Sequence, residues 1–487
     1  MTPLWITQPV RARQAMVTTA DEHATRAGVE VLREGGSVAD AAVAIAFALG
    51  VTQPGMCGIG GGGHALHRTA EGMAYFLDFR ERAPLSATRD MFCGDRSSVH
   101  GWTAAATPGA VRGLWDLHQS HGRMPWARLL EPAIRLARDG HAVSWQRSMA
   151  ARDAVSLQFD PECALRKQAG EPLVQPELAA THERIAAGGV DEFYRGETAR
   201  RLAAEMASHG GAVTLSDLAA YRCAVRAPIT ARYRHYDIIT APPPSGGGFS
   251  LVRMLAVLEP HDLPMLGHNS SAYLDLLART MRDAVEERVR IVGDPKFAHT
   301  THFNVVHASG EAIALTFTLN GIYGCGVTAP GLGFLLNNNM DNFATRPGQP
   351  NQYGLVQYEV NAIEPGKRPV SSMTPTMALR DGQLALVTGT PGGPTIPTAV
   401  LQIVLNALDF GMNASDALLM PRVHHQWRPD VLYHEAGFSQ DTLHLLAECG
   451  HVLQPRLANN DASMVRIEGG WLEGAVDPRR EGRAEGI

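Results

Sequence analysis

Thr300-Thr301-His302-Phe303-Asn304-Val305-Val306-His307, then Ala308-Ser309-Gly310-Glu311, then Ala312-Ile313-Ala314-Leu315-Thr316-Phe317-Thr318-Leu319-Asn320, is the stretch on which the fold turns. Two runs rich in β-branched and aromatic residues, joined by a short glycine-containing loop, read as a hairpin. With the turn near Ser309-Gly310, antiparallel counting sets Thr300 opposite Thr318 to Asn320. Residues directly opposed on one face have Cβ atoms about 5 Å apart. Thr300, Thr318 and Asn320 are therefore expected to form a local cluster of hydroxyl and amide groups.

Upstream the pattern is helical. Ala24, Ala27, Gly28, Val31 and Leu32 recur at helical spacing until Gly35-Gly36. Ser37 caps a second helix, with Asp40 in its first turn favoured by the helix dipole. The small apolar run Ala41 to Ala46 in that helix predicts burial against a sheet. Cys57-Gly58-Ile59-Gly60-Gly61-Gly62-Gly63-His64 lacks the Lys-Ser/Thr of a phosphate loop and the spacing of a dinucleotide fingerprint. It reads instead as a helix-to-strand passage that packs closely. A strand from Ala74 to Phe79 delivers Arg80-Glu81, and Thr107 to Ala219 reads as helical, with Trp126 to Asp139 clearly amphipathic. Pro242 to Gly248 is a rigid turn into a helix ending near Leu258, and a further helix from Ala272 to Val292 stops at Gly293-Asp294-Pro295. After the hairpin come a strand from Gln383 to Thr390 and a helix from about Thr395 to Phe410. On this reading helices dominate before residue 300 and strands cluster after it.

The chain has 487 residues, 45% of them hydrophobic, and a formal net charge of −6. Such a composition excludes a disordered chain, and the scattered arginines exclude a phosphate-binding footprint, so no nucleic-acid partner is expected. The longest apolar stretch, Ala41 to Val51, is shorter than the roughly 20 residues a bilayer span needs, so no membrane partner is expected either. Residues 1–16 show no basic start, apolar core and small-residue cleavage site, which predicts a cytoplasmic protein. A start truncated upstream would instead fit a periplasmic or secreted one. Six cysteines without a CxxC pair read as buried thiols rather than a disulfide framework or metal site.

The chain has no HExxH and no GxSxG. The neighbours His424-His425 point apart on a regular element, so no metal and no cofactor are expected. What remains is Thr300-Thr301, Thr318, Ser371-Ser372 and Thr390-Pro391-Gly392-Gly393. A threonine hydroxyl is a weak nucleophile that needs a base, and its own α-amine can serve once it is N-terminal. Two successive glycines can aim backbone N–H groups at one oxyanion.

In this order the features resemble the γ-glutamyltranspeptidases, N-terminal-nucleophile hydrolases made as self-cutting precursors. The resemblance runs through Gly35-Gly36-Ser37-Val38-Ala39-Asp40, Gly58-Ile59-Gly60-Gly61-Gly62, Phe79-Arg80-Glu81-Arg82-Ala83-Pro84 and Pro243-Pro244-Ser245-Gly246-Gly247. It continues through Thr300-Thr301-His302-Phe303, Leu335 to Phe343 (LLNNNMDNF), Lys367-Arg368-Pro369-Val370-Ser371-Ser372 and Pro391-Gly392-Gly393. It implies an α+β fold, a four-layer αββα sandwich with two stacked antiparallel sheets flanked by helices. It also implies one domain over residues 1–487, cut into a large chain 1–299 and a small chain 300–487 that stay associated. By that resemblance Thr300 is the nucleophile, Thr318 orients it, and Gly392 and Gly393 form the oxyanion hole. Arg80 clamps the substrate's α-carboxylate, while Asn320, Asn339, Asn342, Ser371 and Ser372 surround the glutamyl head and Tyr353 lies in a lid segment. The implied substrate is a γ-glutamyl or glutaryl amide such as glutathione, with water or an amino acid or peptide amine as acceptor.

Three departures stand out. Asn342 and Asn339 replace an aspartate and a longer Gln or Glu, and related cephalosporin acylases resemble this chain in having Asn at the first position. An amidase for a glutaryl or cephalosporin-type substrate lacking the α-amine is therefore the alternative enzyme. Gly293-Asp294-Pro295 is followed by Thr300 almost at once, where the family has several tens of residues. A tether that short motivates a third reading, an unprocessed pseudoenzyme or binding protein. Pro394-Thr395 replaces the family's Ser-Arg.

Overall fold

The computed structural model describes residues 7–159, 164–292, 299–346, 349, 358–457 and 460–487. The two runs of the hairpin, His299–His307 and Ala312–Asn320, are central strands of a seven-stranded sheet. Its order is Arg483–Gly486, Ala15–Thr19, His299–His307, Ala312–Asn320, Gly62–Arg68, Ala74–Asp78, Ala224–Arg226. A second seven-stranded sheet runs Val10–Ala12, Trp471–Val476, Ser463–Glu468, Gln383–Gly389, Thr376–Arg380, Tyr236–Thr240, Ile229–Tyr233. Every neighbouring pair in both sheets is antiparallel.

Strand alternation sorts the side chains between layers. Phe303, Val305, Ile313, Leu315 and Phe317 face a helical layer that includes Val38–Thr52. Val306, Ala312 and Ala314 face the other way and meet Met377, Val387 and Val465 of the second sheet. Beyond that sheet, Ile238, Ala378, Leu386 and Met464 pack on Gly246–Leu258, Ser271–Ile291 and Ile396–Leu408. Three stacked apolar interfaces make four layers, the αββα sandwich expected from the sequence.

Helix Val38–Thr52 begins with the expected Ser37 cap, closed by Asp40 into a capping box, and is buried almost all round. Among the described residues no helix is long and apolar enough to cross a membrane.

The strand distribution differs from the reading of the sequence. Among the described residues, seven of the fourteen strands in these two sheets precede residue 299. Several of these are edge strands of three to five residues, such as Val10–Ala12 and Ile229–Tyr233, half-exposed and with no apolar run. Gly62–Arg68 is fully buried but rich in Gly and His, so it carries neither the alternation nor the β-branched content of a strand.

The glycine run before it is a close-approach surface, as the sequence suggested. A Cβ on Gly60 would run into Leu335 O, on Gly61 into Thr318 O and on Gly63 into Thr316 O. A Cβ on Gly58 would meet nothing within 4 Å. Overpacking a fixed backbone typically destabilises by about 1–3 kcal/mol, so Gly61→Ala should lower the unfolding free energy from a urea titration by that amount, with a lower midpoint. Gly58→Ala in the same urea titration should change stability by less than about 1 kcal/mol.

Candidate active site

The hairpin register sets Thr300 directly across from Thr318, while His299 pairs with Asn320. One residue, Leu319, is thus extra, and the register shift falls between His299 and Thr300. Such a bulge bends a strand and re-aims its side chains. Thr300 Oγ1 donates to Thr318 Oγ1 at 3.4 Å, and Thr318 Oγ1 accepts from the Asn320 amide N–H at 2.7 Å. Asn320 takes the left-handed conformation, φ 76°, which turns that N–H back onto the hydroxyl. All three side chains are buried.

Behind Thr300, on the same face of the strand, a polar spine crosses between the sheets. Asn304 Nδ2 donates to Thr18 Oγ1 at 3.1 Å and Ser463 Oγ at 3.0 Å, which leaves Asn304 Oδ1 to accept from His302 Nε2–H at 3.0 Å. His302 Nδ1 then accepts from the Thr316 hydroxyl at 2.9 Å. Burial pushes His302 down to about 4, so the ring is neutral. It lies against Gly389, where any side chain would overlap it. The strand that carries Thr300 in one sheet thus lies against the strand of the other that leads into Thr390-Pro391-Gly392-Gly393.

Gly392 and Gly393 take φ values of 134° and 58°, which L side chains rarely adopt. Ser372 Oγ donates to Gly393 O at 2.6 Å, and Ser371 Oγ accepts from Met373 N at 3.1 Å. Among the described residues neither glycine N–H donates a hydrogen bond within the protein. Two amides available to an anion are what an oxyanion hole requires.

The head-group residues form one chain of contacts. Arg80 is buried, its amide N–H donating to Asp78 Oδ1 at 3.1 Å and its carbonyl accepting from Tyr221 Oη at 2.7 Å. Burial works against ionised Asp78, yet His64, Arg368 and Arg226 hold its carboxyl below the usual range. Arg80 Nη2 donates to Asn339 Oδ1 at 2.7 Å. Asn342 Nδ2 donates to the same Asn339 Oδ1 at 2.7 Å and to Asn320 Oδ1 at 2.8 Å. The chain thus runs Arg80–Asn339–Asn342–Asn320 and ends one hydrogen bond from Thr318. Its unused atoms are Arg80 Nε, Asn339 Nδ2 and Asn342 Oδ1, all buried without a hydrogen-bond partner among the described residues.

The structure therefore joins Thr300, Thr318, Asn320, Asn339, Asn342 and Arg80, and separately joins Ser372 to Gly393. Ser371 connects less directly: Asn361 Nδ2 donates to Asn342 O at 2.7 Å, and Asn361 Oδ1 accepts from Val370 N at 3.2 Å. Tyr353 lies outside the described residues, as do residues 293–298 of the short segment before the hairpin. His424 is hydrogen-bonded to Thr398 and Gln426, and His425 to Asp430.

Sequence reasoning assigned no role to Glu81 or Asn361. Glu81 is fully buried, 3.5 Å from Arg80 Nη1, with neither carboxylate oxygen hydrogen-bonded. Burial pushes it up to about 7 in spite of the guanidinium. Its place beside Arg80 was the available signal; nothing local marks Asn361.

The Gamma-glutamyltranspeptidase family model matches residues 24–300 and 298–487. The chain is 40% identical over 530 residues to the glutathione hydrolase proenzyme of Escherichia coli (strain K12), covering 97% of this chain and 91% of that protein. It is 34% identical over 536 residues to the acylase ACY 1 proenzyme of Pseudomonas sp. (strain V22), covering 98% and 94%. The crystal structure of a cephalosporin acylase from Bacillus halodurans superposes with a TM-score of 0.88 at 26% identity, covering 100% and 98%. Matched through both segments and aligned over nearly its whole length, the chain belongs to the γ-glutamyltranspeptidase family.

Proposed function

We propose that this enzyme cuts itself between His299 and Thr300 and then transfers a γ-glutamyl group from a glutathione-type amide through an ester on Thr300. The observation that carries this reading is the Thr300–Thr318–Asn320 hydrogen-bonded set, adjoining a buried Arg80–Asn339–Asn342 chain. After the cut, the Thr300 α-amine takes the hydroxyl proton as Oγ1 attacks the substrate's γ-carbonyl carbon. The carbonyl oxygen becomes an anion facing the Gly392 and Gly393 N–H groups. Collapse breaks the C–N bond, and the departing amine leaves with the proton. Water or an amine then attacks the ester, gives up a proton to the α-amine and releases Thr300.

Both predicted chains supply strands to both sheets. Ala15–Thr19 pairs with His299–His307, and Tyr236–Thr240 pairs with Thr376–Arg380, so ladder bonds would hold the two products together.

One observation favours the alternative amidase, for a glutaryl or cephalosporin-type acyl group. Among the described residues, the unused acceptor of Asn320, Asn339 and Asn342 is the neutral Asn342 Oδ1, which offers an α-ammonium no charge. A neutral hydrogen bond contributes about 1 kcal/mol and one to a charged group about 1.5–3 kcal/mol.

Thr300→Ala should leave a single full-length band on a denaturing gel and abolish turnover of γ-glutamyl anilide, whereas the natural chain should give fragments 1–299 and 300–487. A natural chain that stays uncut would favour the pseudoenzyme.

Asn342→Asp should raise the ratio of γ-glutamyl to glutaryl anilide turnover by about tenfold, the equivalent of ~1.4 kcal/mol. An unchanged ratio would remove Asn342 from the head-group site.

Ionised Glu81 competes with a ligand carboxylate for Arg80, and protonated Glu81 does not. Because burial raises its pKa to about 7, glutarate affinity should be highest below pH 7 and fall as the pH rises through it. Calorimetric titration with glutarate across that range should show the fall in the natural chain and a flatter profile in Glu81→Gln.

A further inference from the structure

The Gly392–Gly393 turn has no side chain of its own to fix it, and a peptide between two glycines turns over at little steric cost. Yet each of its carbonyls is tied down. Pro391 O accepts from Asn460 Nδ2 at 2.7 Å and from Thr390 Oγ1 at 2.9 Å. Gly392 O accepts from Thr395 Oγ1 at 2.8 Å and Thr395 N at 3.3 Å. Gly393 O accepts from Ser372 Oγ at 2.6 Å.

A trans peptide unit is planar, so its C=O and N–H point in opposite directions. Holding Pro391 O therefore aims the Gly392 N–H, and holding Gly392 O aims the Gly393 N–H. Two of the side chains that do this, Asn460 and Thr395, are themselves coupled. Asn460 Nδ2 has two protons: one serves Pro391 O and the other Thr395 Oγ1, at 3.0 Å. The Thr395 hydroxyl, having accepted that bond, places its single proton on Gly392 O. Both side chains are buried, and a Cβ at Gly392 would overlap Asn460 Nδ2. The bare Cα is thus what admits the clamp. Asn460 lies just before Ser463–Glu468, which pairs with Gln383–Gly389, so adjacent strands of one sheet supply the turn and its clamp.

We infer that Asn460 and Thr395 are positioning residues that hold the Gly392 and Gly393 N–H groups in the orientation that receives the oxyanion. The inference rests on the proposed role of those amides. Neither residue touches the substrate; each acts through one peptide plane.

The test uses the full chain with Thr395→Val, Asn460→Asp and Thr395→Ser. kcat and KM for γ-glutamyl anilide are normalised to the cut fraction on a denaturing gel. Removing one oxyanion donor lowers kcat by about 10²–10³-fold, so mis-aiming one should lower it by roughly 10- to 100-fold. KM should stay within about twofold for Thr395→Val and Asn460→Asp, because ground-state binding is untouched. Thr395→Ser, which keeps the hydroxyl, should restore kcat to within about threefold of the natural chain. The two disruptive variants act on different peptides, so either one that matures gives the reading. Unchanged kcat, or a raised KM with unchanged kcat, would overturn the clamp while leaving the acyl-enzyme reading intact. Turnover surviving in Thr300→Ala would instead overturn that reading itself.

Discussion

The site depends on one irregularity in one ladder, the bulge between His299 and Thr300. A regular continuation of the hairpin would pair His299 with Leu319, and residue 320 would extend the strand. The extra residue instead lets Asn320 turn into the left-handed region and place its N–H on Thr318 Oγ1. That bond fixes which way the Thr318 hydroxyl can accept, and so where the Thr300 hydroxyl points. It also turns the Asn320 side chain toward Asn342 and Asn338, which joins Thr300 and Thr318 to the Arg80–Asn339–Asn342 chain. One backbone irregularity thus couples the Thr300 hydroxyl to the buried Arg80–Asn339–Asn342 chain.

The second constraint is that no single layer holds the site. Thr300 and Thr318 belong to one sheet, while Gly392 and Gly393 follow the last residue of a strand in the other. Ser372 precedes that strand's partner Thr376–Arg380. The sheets approach closely at this point, and the threonines are buried between them. Gly389 permits that approach by leaving room for the His302 ring, and the neutral spine through Asn304 and Ser463 fills the gap with satisfied polar groups rather than voids. On the opposite flank, Gly60 to Gly63 bring the loop after the buried helix against the backbone at Thr316, Thr318 and Leu335.

The hairpin, its register to within two residues, and the capped helix from Ser37 were legible in the sequence because local chemistry dictates each. Alternating apolar residues, a short glycine turn and a Ser-x-x-Asp pair report on themselves. Of the early strands Ala74–Asp78 was legible, but edge strands were not, because Val10–Ala12 and Ile229–Tyr233 are strands only by pairing with Trp471–Val476 and Tyr236–Thr240. The site was legible as residue types through family resemblance, but its wiring was not. Nothing near Asn361 in sequence marks it as the link between Asn342 and Val370, and Asn460 reaches Pro391 across a separation of 69 residues. Such contacts are long-range consequences of the sandwich.

Asn342 shows how neutrality and order go together in the head-group chain. Its Nδ2 donates to two carbonyl oxygens, Asn320 Oδ1 and Asn339 Oδ1, and the second of these also accepts from Arg80. A carboxylate at that position would face both oxygens with no proton to give, so the neighbouring amides would have to turn over. For Asn320 that would break its bond to Asn338 O, and for Asn339 its bond to Arg80 Nη2. The amide at 342 therefore does more than withhold a charge from the pocket. It sets the orientation of the asparagines on either side and keeps a single carbonyl oxygen, Asn342 Oδ1, without a hydrogen-bond partner among the described residues.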